Sequence, residues 1–100
     1  MEPDPEKPLE PMFVLGHLFI TPDARAVLRA AGMPAAALLL RHLFGDWGEL
    51  DAHSWQQNDD ALLTDSQLFS TYTLAIGKTV WVITEADRSS TTVLLPIDNQ

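Results

Sequence analysis

The chain has 100 residues, a formal net charge of −8 from 14 acidic and 6 basic side chains, and no cysteine. At this length and at 46% hydrophobic content the expectation is one domain with its own core, while the lack of thiols excludes disulfides and thiolate metal sites. So acidic a chain repels phosphate backbones, whose binding relies on Lys and Arg displacing counterions, which argues against direct DNA or RNA recognition; the charge either suits a basic protein surface as partner or simply keeps a small protein soluble.

Residues 1–11 hold four prolines and four acids among few apolar side chains, which predicts a solvated, extended tail and leaves 12–100 as a single globular domain. The acidic start is the opposite of a basic signal-peptide n-region, and no run approaches the ~18 apolar residues of a membrane span. The expected location is therefore cytoplasmic. Met12 to Ile20 reads as a largely buried strand whose one polar side chain, His17, is expected to be a satisfied structural group.

Thr21-Pro22-Asp23 is a helix start, with a capping hydroxyl, a proline at the first helical position and a carboxylate at the positive end of the dipole. Ala24, Val27, Leu28 and Ala31 make its apolar face, Arg25 and Arg29 the opposite one, and Gly32 its stop. Pro34 opens a second helix in which Ala36, Leu39, Leu40 and Leu43 form the expected buried arc, with Arg41 and His42 flanking the other side and Gly45 as terminator. Asp51 is the expected cap of a third helix, Ala52 to Leu63. On it Asn58 and Asp59 fall on the stripe of Trp55 and Leu62, while His53, Gln56, Gln57 and Asp60 point outward.

From Leu68 the period changes to that of strands, expected at Leu68–Leu74, Thr79–Glu85 and Thr91–Pro96, with Ala86-Asp87-Arg88-Ser89 as the second turn and Tyr72 facing Trp81. The fold class is α+β: a β-ααα-βββ domain, an antiparallel sheet with helices packed on one face.

Asn58 and Asp59 on an apolar stripe cost free energy unless hydrogen-bonded, and Arg88 follows two acids between apolar strands. The expectation is a polar network in which Arg88 forms a bidentate, partly buried pair with a carboxylate at Asp46 or at the Asn58/Asp59 turn. Asp46, Glu49, Asp51, Asp59, Asp60 and Asp65 also crowd one stretch, either as a solvated face or as carboxylates imitating nucleic-acid phosphates. Asp46, Trp47, Glu49, Asp51, Asp59, Asp60, Glu85, Asp87 and Arg88 are the candidate partner-binding residues. An alternative is a small hydrolase or transferase using Asp46, Glu49 and His53, and a third a structural homodimer through a sheet edge. The spacing of His42, Asp46, Glu49 and His53 matches no metal-ligand motif, the serines lack a nucleophile-elbow context, and no phosphate loop is present, so no cofactor and no metal are expected.

Gly45-Asp46-Trp47-Gly48-Glu49-Leu50-Asp51, Asn58-Asp59, Trp81-Val82-Ile83-Thr84-Glu85-Ala86-Asp87-Arg88-Ser89 and Thr91-Thr92-Val93-Leu94-Leu95-Pro96 together resemble a family of small bacterial proteins of plasmids and other mobile elements, often labelled restriction–modification subunits. The resemblance covers about residues 15–96. It brings no established activity with it, and implies a mobile-element setting in which small acidic proteins act against host defence, as anti-restriction or anti-CRISPR inhibitors. The partner so implied is a nucleic-acid-binding subunit of a host defence complex.

Overall fold

The computed structural model describes residues 10–99. Most of the expected N-terminal tail lies outside this range. The elements run β1 (His17–Ile20), α1 (Pro22–Ala31), α2 (Ala35–Leu43), α3 (Ala52–Thr64), β2 (Leu68–Thr73), β3 (Thr79–Thr84), β4 (Ser90–Leu94) and a 3-10 turn, η1 (Pro96–Asn99). The class is α+β, with three helices packed against a four-stranded sheet of order β1-β4-β3-β2. No single helix among the described residues is long and apolar enough to cross a membrane.

Local chemistry sets the helix ends. Thr21 caps α1 by accepting from the Ala24 amide, and Gly32 closes it at φ 65°. Asp51 caps α3 through the Ser54 amide at 2.7 Å. Asp65 ends that helix in the left-handed conformation, and Gly45, at φ 83° just past the Phe44 cap, closes α2 as expected, its amide on the His42 carbonyl and that of Asp46 on the Arg41 carbonyl.

The sheet is mixed rather than wholly antiparallel. β2, β3 and β4 form an antiparallel meander, but β1 lies parallel to β4, pairing His17 with Ser90 and Ile20 with Val93. Three helices and the β2–β3 hairpin separate β1 from β4, which no tight turn joins, so nothing obliges β1 to run against its neighbour. Gly16 permits the approach, since a Cβ there would lie 2.4 Å from the Ser89 carbonyl oxygen. The register also corrects the aromatic pair: Tyr72 faces Val80, and Trp81 faces Thr71. That step puts Tyr72 on the helix side and Trp81 on the other, where it meets Phe69 edge-on at 5.1 Å.

The expectation of a buried strand from Met12 to Ile20 fails, because only four residues pair and they form an edge of the sheet. Met12, Val14, Leu18 and Phe19 are exposed, and so is His17. In α2 the buried residues are Leu38, Leu39 and His42, whereas Leu40 is 55% exposed. The helix is turned to carry His42 inward. One core forms where Ala24, Leu28, Leu38 and Leu39 meet Tyr72, Val80, Val82 and Val93; a second gathers around Trp47, Ala61 and Leu68.

Candidate functional site

The segment between α2 and α3 is built around Asp46. Its carboxylate accepts from Arg41 Nε at 2.7 Å and from the Gly48 amide at 3.1 Å. Partial burial would raise this carboxyl, but the Arg41 hydrogen bond, the Gly48 amide and the Arg41 charge hold it below its ordinary value. Arg41 also lies over the Tyr72 ring, 4.5 Å from its centroid, and the Tyr72 hydroxyl donates to the Asp46 carbonyl at 2.7 Å. Burial, foremost, pushes that hydroxyl up to about 12, so it stays a donor. Trp47 is fully buried, and its indole N–H donates to Asp59 at 3.1 Å.

This loop and α3 together close the outer edge of β2. The Thr71 amide donates to the Trp47 carbonyl, and the Glu49 amide donates back to the Thr71 carbonyl at 2.9 Å. Gly48, at φ 80°, makes the approach possible; a Cβ there would sit 1.9 Å from the Thr71 oxygen. Two residues earlier on β2, Asn58 takes the place of a neighbouring strand. Its Oδ1 accepts from the Phe69 amide at 3.1 Å, and its Nδ2 donates to the Phe69 carbonyl at 2.5 Å. Thr73 continues the series by donating its hydroxyl to Glu49. The polar pair on the apolar stripe is thereby explained: Asn58 completes a strand edge and Asp59 holds the Trp47 indole.

Arg88 does not pair with a carboxylate. From a left-handed backbone, φ 61°, its guanidinium donates to the carbonyls of Ser66 at 2.7 Å, Ala61 at 3.1 Å, Glu85 at 3.1 Å and Ala86 at 3.2 Å. Asp46 is engaged by Arg41 and Asp59 by Trp47, whereas the C-terminal end of α3 presents the Ala61 carbonyl, which also accepts from the Asp65 and Ser66 amides, at the negative end of the helix dipole. The expected link from the middle of the chain to the β3–β4 turn exists, but it is made to backbone.

His42 was not among the expected site residues. It is fully buried, with Nδ1 2.5 Å from Ser70 Oγ and Nε2 2.9 Å from Thr84 Oγ1. Thr84 in turn meets the Thr91 hydroxyl at 2.7 Å, which donates to the Leu15 carbonyl at 2.7 Å. Burial, with a smaller contribution from the Arg88 charge, lowers the imidazole to about 4. The signal was present in the strands: Ser70, Thr84 and Thr91 alternate with apolar residues at inward positions and need a shared partner.

The candidate residues therefore divide. Glu49, Asp51, Asp60, Glu85 and Asp87 are exposed; Asp46, Asp59 and Arg88 are half-buried in local bonds; Trp47 supports the loop from inside. No hydrogen bond joins any two of Asp46, Glu49 and His53, and among the described residues no group of three His, Asp or Glu is arranged to hold a metal ion. A cleft of about 400 Å³ beside α3 is lined by Ser54, Gln57, Asn58, Ser66, Gln67 and Phe69, which offer hydrogen bonds and a ring but no ionisable group. The acids dominate the rest: from His42 to Gly77 there are six carboxylates and no Lys or Arg. No protein-family model, curated protein or solved structure matches the chain.

Proposed function

We propose that this is a non-enzymatic binding protein that docks the acidic side formed by the Asp46 loop and α3 onto a basic surface of another protein. The observation that carries the reading is the stretch from His42 to Gly77, whose carboxylates meet no Lys or Arg of their own segment and of which Glu49, Asp51, Asp60 and Asp65 are exposed. Such a field attracts a cationic groove and repels nucleic acid. With the resemblance to mobile-element proteins, the target class is the nucleic-acid-binding subunit of a host defence complex, restriction or CRISPR in type, inhibited by occupation of its basic groove. Affinity capture from host lysate, followed against salt, tests the reading. Binding should weaken as salt rises, and should fall in a Glu49→Gln/Asp60→Asn/Asp65→Asn variant that keeps every side-chain shape. A tight complex indifferent to both would overturn it.

A further inference from the structure

The two edges of the sheet are treated differently. The β2 edge is closed at Phe69 by Asn58 and at Thr71 by the Trp47–Glu49 backbone. The β1 edge carries no such cover. His17 and Thr21 direct their amides to Ser89 and Val93, so by alternation Leu18 and Ile20 present theirs away from β4. Among the described residues no strand lies beyond β1, and no loop or cap bond engages the backbone of Leu18 or Ile20. The sequence His17-Leu18-Phe19-Ile20 has no lysine, proline or carboxylate of the kind that blunts exposed edges. Leu18 is 51% and Phe19 56% exposed.

We propose that this edge pairs with the β1 edge of a second copy, antiparallel and about a two-fold axis at Phe19, joining two sheets into one. In that register Leu18 exchanges both backbone bonds with Ile20 of the partner subunit, and Ile20 with Leu18 of the partner subunit. The Phe19 rings then oppose one another at a close pair, on the sheet face that already holds Phe69, Trp81 and Ile83. Charge selects this occupant. Two copies at net −8 repel wherever their acids face, yet no formal charge lies between Pro11 and Pro22. A neutral, apolar edge fits its own duplicate, whereas a basic partner is drawn to the α3 side. The pairing ends at Pro22, which has no amide to give, so the interface is short and the dimer weak and reversible. It leaves the acidic side free and is independent of the function proposed above.

Amide hydrogen exchange and sedimentation equilibrium, from micromolar to millimolar protein, test this. The expected result is a rise toward doubled mass with concentration, accompanied by growing protection of the Leu18 and Ile20 amides. Phe19→Lys, which sets like charges against each other across the axis, should leave a folded monomer; Phe19→Leu, neutral and apolar, should still dimerise and guards against a folding defect. A monomer at millimolar concentration, a dimer without protection at Leu18 and Ile20, or a dimer unaffected by Phe19→Lys would each overturn the proposal. Protection independent of concentration would do the same, by placing residues 1–9 of the same chain on the edge.

Discussion

Acidifying the protein from about pH 7 to about pH 5 should remove roughly 2 kcal/mol of stability through His42 alone. The ring is fully buried, and burial with the Arg88 charge takes it from 6.5 to about 4. Because the folded value lies below the unfolded one, the unfolded chain binds the proton that the folded chain excludes. The contribution is therefore whole above 6.5, declines as pH falls through the window down to about 4, and below that levels off at a loss on the order of 3 kcal/mol. Asp46, Asp51, Asp87 and Asp98, all held below their ordinary 3.8, give up stability only as pH falls past that value, so the upper part of the window belongs to the imidazole. Urea unfolding followed by tryptophan fluorescence, in a His17→Asn/His53→Asn background that leaves His42 as the sole histidine, isolates the effect. With a denaturant slope of about 1–3 kcal/mol per molar, the midpoint should drop by roughly 1 M between the two pH values. A midpoint that does not move would mean that His42 accepts its proton in place, and would refute the reasoning from burial.

Asn58→Leu should cost about 2–4 kcal/mol, since it strips the Phe69 amide and carbonyl of their partners, and should speed exchange of the Phe69 amide. Arg88→Ala and Arg88→Gly both forfeit the carbonyl contacts, but glycine accepts φ 61°, so the glycine variant should unfold later by about 1 kcal/mol, while Arg25→Ala on an exposed face should be close to neutral.

The helices were legible because their ends are written in capping chemistry: Thr21, Pro22, Gly32 and Asp51 perform their expected roles. Strand positions were legible from alternation, but neighbours in the sheet were not, because a strand's own pattern says nothing of which edge it joins. Hence β1 was expected in an antiparallel sheet and buried, and lies parallel and exposed. The one-residue slip at Tyr72 has the same origin, in a loop whose closing bond, from the Leu74 amide to the Lys78 carbonyl, fixes the register. Arg88 and His42 mark a subtler limit. The two acids before Arg88 suggested that it would pair with a carboxylate, and the apolar arc of α2 put His42 on the side away from the core. Helix-end carbonyls and inward hydroxyls, which no side-chain pattern advertises, decided both.

The parallel pairing of β1 with β4 bears on how the chain reaches this state. His17 and Ser90 stand more than seventy residues apart, so their contact closes a loop that spans every helix and the β2–β3 hairpin. The hairpin and the helices rest on near neighbours and can organise early, whereas β1 has no strand to join until β4 has left the ribosome. Until then Leu18 and Phe19 travel uncovered, and collision between unfinished chains is most hazardous during that interval. Slower synthesis of the stretch after Thr84 should therefore lower soluble yield without altering the stability of the molecules that do complete the sheet.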